Sequence, residues 1–138
     1  MDKNKDFDGG KRLRKKIHIA KKKQDEESII DVVNELRNAY VILPCNLKVV
    51  DVPLAKDGKD VVLAPDILET DGKKFLPVFS NIEQMGKDYA SQMSKLEKTM
   101  AEAVKFAMAR DDITGIVVDP YTDTFVVLKQ LFELIVDE

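Results

Sequence analysis

The sequence predicts a mixed α+β fold, a single mixed sheet of about five strands with helices packed on it, behind a basic N-terminal tail. Three observations lead there. From Ser28 onward, segments with helical apolar spacing alternate with short β-rich runs bounded by Pro, Gly and Asp-Gly pairs. The length of 138 residues suits one domain that buries a core without a metal or disulfide staple. The composition, 44% hydrophobic and 34% charged, is too apolar for a disordered chain and too charged for a membrane one.

Residues 28–39 place Ile29, Val32, Val33, Leu36 and Ala39 on one stripe opposite Asp31, Asn34, Glu35 and Arg37, which predicts an amphipathic helix. Ser28 is set to cap its first amides, and Asp25, Glu26 and Glu27 sit where a helix N-terminus favours negative charge. Tyr40-Val41-Ile42-Leu43 follows as a buried strand that Pro44 stops. Val49, Val50 and Val52 predict a second strand over residues 47–54, with Asp57-Gly58 turning the chain so that Val61-Val62-Leu63 returns antiparallel. A clearer hairpin runs from Ile67 through Asp71-Gly72 to Phe79, and Pro77 in its second strand should turn its donor-less nitrogen to an edge or a bulge.

Two capping boxes come next. Ser80 with Glu83 predicts a helix from Asn81 to about Ala90, and Ser94 with Glu97 predicts one from Lys95 to about Arg110. In the longer helix Leu96, Met100, Ala103, Val104, Ala107 and Met108 form the apolar face. Asp111-Asp112 breaks it, and Gly115 leads into Ile116-Val117-Val118, apolar throughout and therefore central in the sheet. The intervening helix favours parallel pairing of this strand with Phe75 to Phe79. The last segment, Thr124 to Val136, has helical spacing at Phe125, Leu128, Leu131, Phe132 and Ile135, while Phe125-Val126-Val127 also suits an edge strand. Both readings stay open.

The net charge of −3 hides two opposite parts. Residues 1–24 carry ten Lys or Arg and three Asp, whereas the rest carries twelve basic and 22 acidic residues. With few apolar residues and with Gly9-Gly10 uncoupling it, the stretch 1–27 is read as a flexible tail and 28–138 as the domain. Such a tail can be merely solvated, can dock on the domain's own acidic surface, or can neutralise phosphates through Lys11, Arg12, Arg14, Lys15, Lys16, Lys21, Lys22 and Lys23. No aromatic is interleaved for base stacking, so a nucleic-acid partner is the weakest of the three.

Motifs for chemistry are sparse. The only histidine, His18, lies in the basic stretch, which leaves the body no Ser-His or Cys-His pair. One Cys and one His cannot make a zinc site, and the single Cys45 fits a small packed hydrophobe in a reducing compartment. No glycine-rich phosphate loop is present. Asp111, Asp112, Asp119 and Asp123 cluster near strand ends, where four acids could bind a hard cation, but their placement suits turns and caps better. No apolar run approaches the roughly 18 residues of a membrane-spanning helix, and the first residues lead into no signal-peptide core.

Three motifs resemble a known family. Asn38-Ala39-Tyr40-Val41-Ile42-Leu43-Pro44, then Lys74-Phe75-Leu76-Pro77-Val78-Phe79-Ser80 with Glu83, then Gly115-Ile116-Val117-Val118-Asp119-Pro120 are similar to the N-terminal domain of the bacterial enhanced-serine-sensitivity (SseB) family. The family usually has Asn where this chain has Asp119. The resemblance implies a bacterial, cytoplasmic α/β domain with no agreed catalytic residues or cofactor to carry over.

Residues and resemblance together point to a non-enzymatic protein-interaction or regulatory module with an unidentified protein partner. Its expected surface is Phe75, Pro77, Phe79 and Ser80 with the turn Asp119-Pro120-Tyr121. Phe79 and Tyr121 would serve as aromatic anchors, although Phe75 and Phe79 also suit core positions. The alternative is a binder or enzyme for a serine-related metabolite, with Asp119, Tyr121 and Ser80 lining one pocket.

Overall fold

A computed structural model describes residues 8–51, 53 and 57–136. In chain order it contains α1 (Lys11–Lys23), α2 (Glu26–Leu36), β1 (Tyr40–Asp51), β2 (Lys59–Pro65), β3 (Leu68–Thr70), β4 (Lys73–Val78), a 3-10 turn (Ile82–Met85), α3 (Lys87–Gln92), β5 (Ser94–Thr99), α4 (Met100–Met108), β6 (Ile113–Val118), β7 (Phe125–Leu128), a second 3-10 turn (Lys129–Leu131) and α5 (Phe132–Ile135). The class is α+β, as the sequence predicts. Among the described residues the strands form two sheets rather than one, ordered β2-β1-β5 and β3-β4-β6-β7.

A single bridge joins the sheets, with Ile42 and Phe79 exchanging both backbone hydrogen bonds at 2.7 and 2.9 Å. Two prolines flank this junction. Asp66 N–H reaches Pro44 O at 2.9 Å, so Pro44 faces the same side of β1 as Ile42, in the gap between β2 and Phe79. Pro77 likewise faces the side of β4 that β3 has left and that β1 joins only at Phe79. Pro44 stands opposite Asp66, just past the last rung of the β2 ladder, and Pro77 beyond the β3 ladder, so the missing N–H costs at most one terminal bond and proline is tolerated inside both strands. Pro44 therefore does not stop β1, which runs unbroken to Asp51; residues 52 and 54 of the expected second strand lie outside the described residues.

The hairpin prediction holds: β3 pairs with β4 antiparallel across Asp71 (φ 53°) and Gly72 (φ 77°), the two left-handed positions of a tight hairpin turn. β4 and β6 pair in parallel, Leu76 with Ile116 and Val78 with Val118, and β6 is central. Residues 125–128 are strand, paired antiparallel with β6. The helix boundaries need three corrections. Asp25, not Ser28, caps α2, accepting from Ser28 N–H at 3.0 Å. Asn81, not Ser80, caps the turn after β4. Residues 94–99, expected as helix, are strand β5 against β1, and the working capping box is Thr99 with Glu102 five residues later.

The basic stretch is also corrected. Lys11–Lys23 is a helix, and Leu13, Ile17 and Ala20 are buried with Val32, Val33 and Leu36 of α2 in the main core. Three apolar residues at helical spacing suffice because α2 offers them a matching stripe. Gly10 does not uncouple the helix but docks it: a Cβ there would lie 2.4 Å from Ser80 Cβ, and φ is 80°. The expected flexibility of residues 1–7 lies outside the described residues. Helices α1, α2, α4 and α5 cover one face of the sheets. The first 3-10 turn and α3 cover part of the other, around Phe79, Met85 and Ala90.

Candidate functional site

The parallel strands β4 and β6 end side by side, and the expected surface residues gather at that end. Asp119 N–H continues the ladder to Val78 O at 2.9 Å, after which the chain turns with Asp119 at φ 49°. Asp is among the few residues that adopt this left-handed backbone readily. The turn carries its carboxylate back under Ser80. Ser80 N–H donates to Oδ1 at 2.8 Å and Ser80 Oγ–H to Oδ2 at 2.7 Å. Arg14 Nη1 of α1 then donates to Ser80 Oγ at 3.0 Å and to Gly9 O at 2.6 Å, and Asn81 Nδ2 donates to Gly9 O at 3.0 Å.

This knot is structural rather than catalytic in its geometry. Ser80 and Asp119 make the hydrogen bond of a nucleophile with its base, but they are only 2% and 0% exposed. The lone pair that would attack a substrate faces a guanidinium. Burial pushes the Asp119 carboxyl above its ordinary value, opposed by the two Ser80 hydrogen bonds and by Arg14. Every buried side-chain N or O among the described residues has a partner.

Above the knot lies an aromatic cluster. Phe79 is fully buried, with ring centroids 5.8 Å from both Tyr89 and Tyr121, and Tyr89 meets Tyr121 edge-on at 5.5 Å. Tyr89 O–H donates to Asp66, and burial followed by that carboxylate raises the phenol strongly. Phe79 is thus the floor and Tyr121, 52% exposed, is the accessible ring. Thr124 Oγ1 donates to Pro120 O at 3.1 Å and Thr122 Oγ1 pairs with Gln84 Oε1 at 2.7 Å, which fixes the loop that presents Tyr121.

Tyr121 and Pro120 border a groove of about 340 Å³ on the face of the second sheet that the helices leave open. Leu68, Phe75, Val117 and Val126 form its apolar floor, and among the described residues Glu69 is the one charged residue that lines it. The floor follows from the register, since Leu68 sits opposite Phe75 and Val117 opposite both Pro77 and Val126, all on the face away from Leu76, Val78, Ile116 and Val118.

Of the expected surface, Phe75, Pro120 and Tyr121 therefore border the groove, Pro77 is buried in β4, and Phe79, Ser80 and Asp119 are interior. The expected common pocket for Asp119, Tyr121 and Ser80 is corrected: Ser80 borders a separate cavity of about 390 Å³ with Tyr40, Ile42 and Asn81, and Tyr121 borders the groove. Among the described residues no three acids, His or Cys gather as a metal site. Asp112 instead pairs with Arg110 at 2.8 Å and Lys74 at 3.5 Å, Arg110 holding its carboxyl below the ordinary range.

Sequence reasoning missed Leu68, Glu69, Val117, Val126 and Tyr89. The period-2 placement of Val126 relative to Val127 was the available signal, since only one of the two can face the core of an edge strand. His18 is exposed on α1, and Cys45 is buried with its thiol donating to Leu43 O at 3.7 Å, burial pushing it up. Of the basic residues, Arg12 and Lys16 meet Glu35 at 3.1 and 3.3 Å and Arg14 is committed to the knot, while Lys11, Lys15, Lys21, Lys22 and Lys23 are exposed. No helix among the described residues is long and apolar enough to cross a membrane.

No curated protein and no solved structure matches the chain. The family model described as the SseB protein N-terminal domain matches residues 13–131, which begins inside α1 and runs to the turn before α5. With both sheets and the helices between them inside that match, the chain belongs to the SseB N-terminal domain family.

Proposed function

We propose that the domain is a non-enzymatic protein-interaction module, and that the groove on the open face of its second sheet takes a protein segment with an apolar anchor flanked by Lys or Arg. The observation that carries this reading is the groove itself: an apolar floor beside an aromatic ring 52% exposed, with Glu69 the only charge among the described residues that line it. Exposed aromatics over a packed apolar floor are typical anchors of interfaces, and a lone carboxylate at the margin favours a cationic neighbour of the anchor. The excess of acidic over basic residues beyond residue 24 acts in the same direction at longer range. The Ser80–Asp119 pair is closed off by Arg14, which supports a scaffold role for it.

A selection from a random-peptide library against the folded chain tests this. Enriched peptides should combine an aliphatic or aromatic residue with Lys or Arg. Their binding should drop at least tenfold in Val126→Glu, whose site is 42% exposed so the fold is spared, and the basic preference should disappear in Glu69→Lys. Peptides that bind Val126→Glu as well as the unaltered chain refute the assignment. If amino acids rather than peptides shift the melting temperature, the metabolite-binding alternative takes its place.

A further inference from the structure

A different surface carries an inference that does not depend on the groove. β1 pairs with β5 only as far as Cys45, and beyond that point it continues with β2 alone as a two-stranded ribbon, Cys45 opposite Pro65 through Asp51 opposite Lys59. One face of β1 reads Val41, Leu43, Cys45, Leu47, Val49. The first three are buried in the main core, yet Leu47 and Val49 are 69% and 68% exposed. Their partners Leu63 and Val61 are 43% and 55% exposed. The Asp66–Pro44 hydrogen bond sets the phase of the ladder, so Leu47 with Leu63 and Val49 with Val61 are the non-hydrogen-bonded pairs, whose side chains lie closest. The core face thus runs out along the ribbon as a compact aliphatic patch with nothing over it among the described residues. A two-stranded hairpin in water is at best marginally stable without a cover on such a face.

The β2 edge of the ribbon is blunted against a further strand. On β2 the outward-facing positions are the odd ones: Lys59 N–H donates to Asp57 Oδ1 at 3.0 Å, Val61 N–H donates to Asp60 Oδ1 at 2.8 Å, and Pro65 has no N–H. At that edge the face is favoured over strand addition as the place for a partner. At the base of the same face is a groove of about 320 Å³ walled by Cys45, Leu63, Pro65, Leu96 and Phe106. Lys98 and Glu102 stand at that base, and Lys59 pairs with Asp51 at 2.9 Å at the tip. Each end of the patch so carries one cation and one anion. A strongly basic or acidic partner finds no net charge to recognise there, whereas a copy of the same face turned end for end sets a tip of mixed sign against a base of mixed sign, with no net repulsion, and offers each protruding aliphatic tip a groove.

We propose that this ribbon face is a two-fold interface between two copies of the chain, in which Val49 and Val61 at the tip of each ribbon seat in the groove at the base of the other. A reciprocal contact of this kind closes on itself as a dimer. Sedimentation equilibrium of the full chain over a concentration series should show a monomer–dimer equilibrium. Val49→Lys and Val61→Glu, each made separately, should weaken the dimer at least tenfold while urea midpoints taken at monomeric concentration stay near the unaltered value. Leu47→Asn provides a milder check with the same expected direction. Should the chain remain monomeric up to about 1 mM, the face has a different occupant and the proposal falls. It falls equally if a dimer forms whose dissociation constant ignores all three substitutions, or if Val126→Glu on the other sheet is the change that breaks it.

Discussion

Substituting Ile17 by Ala separates a helix built into the core from a solvated arm. Ile17 is fully buried in the main core between α1 and α2, with Leu13 and Ala20 beside it. Truncating a buried Ile to Ala removes its transfer free energy and leaves a cavity, about 2–5 kcal/mol in well-packed sites. Domains of this kind hold roughly 5–15 kcal/mol in total, so the loss is a large share of it. Ile19, two residues along and on the opposite face, is 39% exposed, and Ile19→Ala should fall within about 0.5 kcal/mol of the unaltered chain. Urea unfolding followed by circular dichroism measures both. The midpoint should fall for Ile17→Ala with an unchanged slope, because α1 unfolds with the rest. A difference between the two variants below about 0.5 kcal/mol, or a reduced slope signalling an independent helix, refutes the placement of α1 in the core.

Gly10→Ala should destabilise by about 1–3 kcal/mol or more, because its Cβ would meet Ser80 Cβ at 2.4 Å on a backbone held at φ 80°; a melting temperature equal to the parent's contradicts the docking described. Thr99→Ala removes the cap of α4, where Glu102 N–H donates to Thr99 Oγ1 at 3.2 Å, and should lower the unfolding free energy by about 0.5–2 kcal/mol; the same substitution at Ser94, the residue sequence spacing offered as a cap, should have little effect in the same urea series. Asp119→Asn tests the buried carboxyl. Burial raises its folded pKa above the unfolded one, so the native state holds the proton more tightly and stability falls as pH rises from about 4 through the folded value. The Asn variant lacks that slope and should gain stability relative to its parent from about pH 4 to pH 7; a difference that is constant with pH overturns the assignment.

What the sequence disclosed depended on how local the deciding interaction is. Asp71-Gly72 fixes its hairpin through its own backbone conformations, so the turn was readable from two residues. Ile116-Val117-Val118 was readable as a central strand because burial on both faces leaves no polar position. The errors share one cause: a local signal outvoted by a distant partner. Ser94 with Glu97 has the spacing of a capping box, but β1 offers residues 94–99 a full antiparallel ladder, and the true box lies five residues on. Pro44 reads as a strand stop, yet it falls where β1 changes partners, at the end of the β2 ladder, where one missing donor costs little. Arg14 reads as one more charge in a basic run. Only the fold shows that it points inward to Ser80, 66 residues away. The candidate site was half legible for the same reason, since Phe75 and Tyr121 stand in motifs while Leu68 and Val126 join them only through sheet register.

The knot and the groove are one construction, and that explains why the domain keeps a buried Ser and Asp at its strand ends with a partly buried Arg against them. The groove needs Tyr121 held at its margin, and Tyr121 sits two residues beyond Asp119. Asp119 reverses the chain in a left-handed backbone conformation, and its carboxylate ties that reversal to the end of β4 through both hydrogen-bonding groups of Ser80. An isolated buried carboxylate would be strongly disfavoured, so the arrangement requires a nearby cation, and Arg14 of α1 is the one whose charge opposes the upward push of burial. The helix first read as a tail thus reaches the margin of the groove through a chain of hydrogen bonds. Loss of the Arg14 guanidinium alone leaves Asp119 buried without its compensating charge and weakens the turn that positions Tyr121. Binding at the groove is therefore expected to depend on residues of the helix that never touch the partner.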